Sequence, residues 1–296
     1  MRKTFSLLFS TAFLATSLVA HSPTAAIAEE TSTPTTSPVA TASATPEAKN
    51  SDGTYVVGDI GPGGGFIFYV NKKGFNCGPN YTNTGSPAGG LCHYLEVAPS
   101  GWSSMKPGSR DPYLNWATDA NRYKAVKGLK SVDDVCLGTN YKGVSSCLTR
   151  SGVGNGYKNS IAIVKQGNDV NTAAGAARAY RGGSLSDWYL PTLAELNNLL
   201  KWGKGLPWKS DTTVLGCGTV NSPTYGAETA GLDSYAYHSS TERYRSGDGQ
   251  QKGVPLNPKY RSSAVWIIEN RVSCVQEAIS GSEKKGLTNV RPIRAF

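Results

Sequence analysis

Apolar and polar positions along this chain fall into two rhythms, one suited to strands and one to helices. Tyr55-Val56-Val57-Gly58-Asp59 and Phe66-Ile67-Phe68-Tyr69-Val70 flank the run Gly61-Pro62-Gly63-Gly64-Gly65. Two β-rich runs across a glycine turn predict a hairpin, and the unbroken apolar second run predicts a strand buried on both faces. Tyr94-Leu95-Glu96-Val97-Ala98 predicts another short strand. No period holds from Gly101 to Arg150, so that region predicts loops anchored by Trp102, Tyr113 and Trp116. Helical spacing enters at Asn159 to Lys165 and again after Asn171-Thr172, in an Ala-rich run that lasts to Tyr180 and stops at Gly182-Gly183.

The strongest local signal is Asp187-Trp188-Tyr189-Leu190-Pro191-Thr192-Leu193-Ala194-Glu195-Leu196. Thr192 and Glu195 have the T-x-x-E spacing of a capping box, in which each side chain satisfies a free backbone N–H near the other. Leu193, Leu196, Leu199 and Leu200 then share one helical face, and Gly203 ends the helix. Trp188 and Leu190 join the predicted core. The last third returns to strands at Ala264 to Ile268 and Asn289 to Phe296.

The first residues follow a different logic. Arg2 and Lys3 precede a mostly apolar run from Phe5 to Ala20, and Ala26-Ile27-Ala28 is a small-x-small site. Residues 1–28 therefore predict a secretory signal cleaved after Ala28, and with it a secreted or extracytoplasmic, cell-surface protein. Residues 29–53 form a Thr/Ser/Pro/Ala-rich tether, because a tract with almost no large apolar side chain cannot repay the entropy of ordering. Residues 54–296 then predict one domain around one core. No later stretch approaches the roughly 20 apolar residues of a membrane span.

Composition narrows the class. With 17% charged residues and 34 Gly, the chain is neither a coiled coil nor an acidic disordered tail, both of which need dense charge. Thirty Lys and Arg against 21 Asp and Glu give +9, and losing Arg2 and Lys3 with the signal leaves +7. All six cysteines, Cys77, Cys92, Cys136, Cys147, Cys217 and Cys274, follow the signal, an even number in an oxidising compartment. Sequence proximity favours Cys77 with Cys92 and Cys136 with Cys147, which leaves Cys217 for Cys274. A metal site is the alternative, but no spacing is C-x-x-C and only His93 and His238 remain after the signal. No metal and no cofactor is expected.

Catalytic signatures are missing: no G-x-S-x-G, H-E-x-x-H, Walker A or G-x-G-x-x-G run occurs. Ser103 and Lys106 match S-x-x-K without the partner K-T-G, a pattern short enough to arise by chance.

Gly58-Asp59 with Gly61 to Gly65 and Phe68-Tyr69-Val70, Tyr94 to Pro99, Ser186 to Pro191 with Glu195-Leu196, Ser239-Ser240-Thr241-Glu242, and Val290-Arg291-Pro292-Ile293-Arg294-Ala295-Phe296 occur in an order that resembles the DUF1566 family. That family is also named for the C-terminal domain of the Legionella collagen-like adhesin. The resemblance implies an α+β, C-type-lectin-like domain with two main helices, short strands and long disulfide-tied loops, distantly related to the formylglycine-generating enzyme fold. It also implies adhesion, since the named member binds sulfated glycosaminoglycans. The chain departs from the pattern at His238, where the family carries Trp in Tyr-Trp-Ser-Ser, and it has no collagen-like Gly-x-y tract.

Three functional readings follow. Arg243, Tyr244, Arg245, Lys252, Lys259, Tyr260 and Arg261 lie in a Gly/Pro/Gln-rich stretch opposed only by Glu242 and Asp248. Cations with aromatics on a loop suit an acidic polysaccharide or other surface polymer, and export disfavours nucleic acid as the partner. Calcium-bridged sugar binding lacks E-P-N, Q-P-D and W-N-D, leaving only Asp111, Asn115, Asp119 and Asn121 as scattered oxygen donors. The leading expectation is thus a binding or adhesion module and not an enzyme. The alternatives are a cysteine-based extracytoplasmic enzyme of the formylglycine-generating type and a structural cell-envelope protein without a discrete ligand.

Overall fold

A computed structural model describes residues 53–79, 90–104, 109–129, 132–133, 144–203, 205, 231–233, 236–244, 264–269 and 279–296. The expected signal peptide and nearly all of the tether, through residue 52, lie outside the described residues. In chain order the elements are β1 (Phe66–Cys77), β2 (Gly90–Val97), β3 (Tyr113–Leu114), β4 (Val132–Asp133), α1 (Val144–Ser151), α2 (Gly156–Lys165), α3 (Ala173–Ala179) and α4 (Leu193–Gly203). They continue with β5 (Ala236–Tyr244), β6 (Ala264–Glu269), β7 (Ile279–Glu283), β8 (Thr288–Asn289) and β9 (Ile293–Ala295). The class is α+β. A three-stranded sheet runs β1-β2-β9, and a second runs β3-β8-β5-β6-β7 with β4 paired to β5.

The glycine turn is closed as expected: Gly58 N–H donates to Ile67 O at 2.7 Å and Ile67 N–H to Asp59 O at 2.8 Å. The first half of the predicted hairpin is nevertheless not a strand, and the two runs share an isolated bridge, Ile60↔Phe66, in place of a ladder. Asp59 explains this, because its Oδ2 accepts Val56 N–H at 2.9 Å and its own N–H donates to Val56 O, curling 56–59 into a turn. β1 pairs instead with β2, from Phe66↔Val97 to Cys77↔Gly90, and β9 completes the sheet through Leu95↔Ala295. Ile67, Phe68 and Tyr69 are buried, whereas Lys72 and Lys73 further along are exposed, so β1 is covered only over its first half. The Cys77–Cys92 bond staples the far end of this pair. Cys147 is buried and disulfide-bonded. Cys136, Cys217 and Cys274 lie outside the described residues.

Glycine is required in the turn because of what packs on it. A Cβ at Gly65 would overlap the Val97 carbonyl, and one at Gly63 would overlap the Trp188 ring. The close approach lets Glu96 accept Gly63 N–H at 2.9 Å and Gly65 N–H at 2.8 Å. The loop thereby encloses one of the protein's own carboxylates.

The capping box forms as read. Thr192 N–H donates to Glu195 Oε2 at 2.7 Å, and Glu195 N–H donates to Thr192 Oγ1 at 3.1 Å. Leu193, Leu196, Leu199 and Leu200 are fully buried on α4, and Trp188 and Leu190 are buried beside it. The Ala-rich helix ends at Ala179, short of the expected glycine stop, because Tyr180 is already extended at ψ 146°; Gly183, at φ +61°, belongs to the short 3-10 turn that follows. Among the described residues there are four α-helices, where the resemblance implied two main ones. The unexpected α1 is Val-Ser-Ser-Cys-Leu-Thr-Arg-Ser, poor in strong helix formers, and it is held against α4 with Cys147 and Leu148 inward. Of the three predicted anchors, Trp102 and Trp116 are buried but Tyr113 is 43% exposed. The final strand is split into β8 and β9 by the segment holding Pro292.

Among the described residues four strands, β3, β4, β5 and β7, carried no sequence signal, and β5 matters most. It is central in its sheet, between β6 and β8, yet Ser239, Ser240, Thr241 and Glu242 along it are all buried. Their polar groups are taken up by partners far along the chain: Trp116 Nε1–H donates to Ser239 O at 2.8 Å, Ser240 N–H to Pro191 O at 2.7 Å, and Leu193 N–H to Thr241 Oγ1 at 3.0 Å. A buried strand built from polar residues shows no apolar alternation. Arg243 and Tyr244 end this strand, with Arg243 opposite Ala264 of β6, and so correct the reading of the whole basic stretch as loop.

The apolar interior gathers in two clusters. One joins β1, β2, α1 and α4 around Leu95, Leu148, Leu196 and Tyr189. The other surrounds Trp116 and Trp188 with α2, α3 and β6.

Candidate functional site

Buried charge is internally matched. Arg291 Nε–H donates to both carboxylate oxygens of Asp111, at 2.7 and 2.9 Å, with Tyr237 Oη–H at 2.6 Å and Trp102 Nε1–H at 3.1 Å on the same carboxylate. The remaining Arg291 nitrogens reach Ala98 O and Gly231 O. Arg294 joins Asp187, at 3.0 and 2.8 Å, to Glu96 at 3.1 Å. Lys284 Nζ pairs with Glu242 Oε1 and donates to Lys124 O at 2.6 Å, and its ammonium lies 4.8 Å from the Trp116 ring centre. Burial pulls the Lys284 ammonium below its ordinary range, against the pull of Glu242. Burial likewise raises Glu195 to about 7, although Gly154 N–H, Thr192 N–H and Tyr189 Oη–H all donate to it. These groups hold segments together.

This arrangement ties some of the loop oxygen donors to other partners. Asp111 is spent on Arg291, Asn121 Nδ2–H donates to Gln166 O at 3.1 Å, and Asp119 projects outward beside Arg122 at 3.5 Å. Of the four candidate oxygen donors, Asp111 and Asn121 are buried, whereas Asn115 and Asp119 are exposed. Among the described residues no group of His, Cys, Asp or Glu is placed to hold a metal ion. Ser103 is exposed, and Lys106 lies outside the described residues.

Two surface features remain. The first is a basic edge. Gln166, at the end of α2, donates to Ala125 O at 3.0 Å, Lys284 donates to Lys124 O, and Val126 N–H approaches Glu242 Oε2 at 3.4 Å. These bonds gather the 121–127 loop, the end of α2, the turn after β7 and the end of β5 at one edge. Lys124, Lys127, Lys165 and Lys285 are exposed there, against the exposed carboxylates of Asp119 and Glu283. Arg243 and Tyr244 sit at the end of β5, with Tyr244 36% exposed, whereas Arg245, Lys252, Lys259, Tyr260 and Arg261 lie outside the described residues. Both anchors of the predicted basic stretch, at Tyr244 and Ala264, are on this edge.

The second feature is an open cleft of about 440 Å³ lined by Trp102, Ser103, Ala176, Ala179, Tyr180 and Arg181, with apolar neighbours. Its floor is the outward face of α3, where alanines leave room that larger side chains would fill. Sequence reasoning took the Ala-Ala-Gly-Ala-Ala-Arg-Ala run only as a helix. The signal it passed over was the smallness of the exposed positions. The four lysines were likewise missed, because they lie far apart in the chain and meet only through tertiary bonds.

No protein-family model matches the chain, and no curated protein and no solved structure is similar to it.

Proposed function

We propose that the domain is an exported, C-type-lectin-like binding module of the kind the DUF1566 resemblance implies, and that it holds an acidic polysaccharide or similar surface polymer by charge. The observation that carries this reading is the convergence of Lys124, Lys127, Lys165 and Lys285 with the anchors of the 243–261 stretch on one edge. The matched interior supports it, since the buried ionisable groups are used for structure and leave surface charge as the available chemistry. Exposed cations attract a polyanion at long range, and salt screens that attraction beyond about 10 Å at 0.1 M ionic strength.

The test is retention on immobilised sulfated and carboxylated polymers over a salt series, with and without a chelator. Binding should weaken steeply with salt and survive chelation. Replacing Lys124, Lys127, Lys165 and Lys285 together with Gln should weaken binding by about tenfold or more while the melting temperature stays unchanged, from summed exposed-pair contributions. Equal retention of the variant and the parent, or loss of binding on chelation alone, overturns the reading.

A further inference from the structure

We propose that the cleft beside α3 is a subsite for one acidic pyranose, a sugar ring carrying a carboxylate or a sulfate; the choice of a sugar rests on the polymer reading above. Its volume of about 440 Å³ is near the lower end of the range of ligand pockets, roughly 300 to 1,000 Å³, and suits one or two rings.

The wall is fixed in place. Trp102 and Tyr180 meet edge to face with centroids 5.6 Å apart, and Tyr180 meets Trp188 in the same manner at 4.9 Å. Trp102 is further held by its Nε1–H, which lies 3.1 Å from both Asp111 Oδ1 and Val290 O. A wall already ordered by the protein loses little freedom when a ligand arrives. The floor is the methyl surface of Ala176 and Ala179, which the C–H face of a pyranose can cover. The ring hydroxyls would remain hydrated through the open mouth, avoiding the cost of burying them unpaired.

Arg181 supplies the charge. Its Nη1–H groups donate to Arg178 O and Tyr180 O, both at 2.7 Å, which clamps one edge of the guanidinium to the end of α3. The side chain is exposed, and its Nε and Nη2 have no protein partner among the described residues. The free edge of a planar fork held in one orientation matches two oxygens of a carboxylate or sulfate. Ser103, also at the cleft, offers a hydroxyl to a ring substituent.

The experiment uses the purified chain with alanine methyls ¹³C-labelled, titrated with a uronic-acid tetrasaccharide, its neutral methyl ester and benzoate. The tetrasaccharide should shift the Ala176 and Ala179 methyl resonances saturably, and the ester should bind about tenfold or more weakly. Ala179→Leu, which fills the cleft with a good helix former, should abolish those shifts at Ala176. Arg181→Lys, which keeps the charge and loses the fork, should weaken binding by about tenfold. All variants are compared at matched thermal stability, with retention on the immobilised polymer measured in parallel. If the polymer is retained but the methyls do not move, or if Ala179→Leu and Arg181→Lys bind the tetrasaccharide as the parent does, the subsite is wrong while the basic edge stands. Equal binding of the ester removes the anion from the proposal, and benzoate binding without tetrasaccharide binding removes the sugar. Failure of the parent to bind any acidic polymer or oligosaccharide overturns both readings.

Discussion

Acidification should remove the stability that His238 supplies, against the opposite pull of Glu195, whose raised pKa favours the fold as pH falls. The ring is fully enclosed, and its Nε2–H is shared between Leu114 O at 3.0 Å and Gly286 O at 3.2 Å. Nδ1 is buried with no hydrogen-bond partner among the described residues, so protonating it creates a charged donor with none of them to receive it. Burial drives its pKa from 6.5 down to about 4, with the two carbonyls opposing only in part. In the unfolded chain the imidazole takes a proton near 6.5, while the folded chain resists until about 4. The stabilising contribution is therefore full above pH 6.5 and is lost as pH falls through that window. At about 1.4 kcal/mol per pH unit, the loss between pH 6.5 and 4 is about 3 kcal/mol. Urea unfolding of the parent and His238→Gln across roughly pH 7 to 4.5 tests this. Gln can place an N–H near the Nε2 position without gaining a charge, so it should cost stability at neutral pH and flatten the acid slope. Parallel pH profiles for the two proteins would show that His238 is not the group that titrates.

Replacing Leu196, fully buried on α4, with Ala should cost about 2 to 5 kcal/mol, and a cost below about 1 kcal/mol in chemical denaturation would place that helix face outside the core. Thr192→Ala should cost about 1 kcal/mol through the lost cap at Glu195 N–H, and hydrogen exchange should quicken first in the opening turn of α4. Removing the Cys77–Cys92 bond, which spans 15 residues, with a double Ala variant should cost about 3 kcal/mol on the loop-entropy account. Alkylation of the denatured, unreduced protein should label none of the six cysteines. Stoichiometric labelling of Cys217 and Cys274 would revive the cysteine-enzyme alternative.

Much of the fold follows from neighbours in sequence. The Thr192–Glu195 box, the four leucines of α4, the Ala-rich helix, the start of β1 and the Cys77–Cys92 pairing depend on residues close along the chain, and their spacing was sufficient to read them. What could not be read depends on distant partners. β5 is a central strand made of Ser, Thr and Glu, and its burial is acceptable only because Trp116, Pro191, Leu193 and Lys284 supply the matching groups. Glu96 gives the glycine turn its purpose only when β2 lies beneath it. Asp111, readable as a cation ligand from its neighbours, is committed to Arg291 at the other end of the domain. The candidate surfaces divide in the same way. Chain order is enough to show the clustering of basic residues from 243 to 261 and the Ala-rich helix. Folding is what brings Lys124, Lys165 and Lys285 to one edge and sets Arg181 over a cleft walled by Trp102 and Tyr180, because charge and shape at a surface are sums over segments that the chain keeps apart.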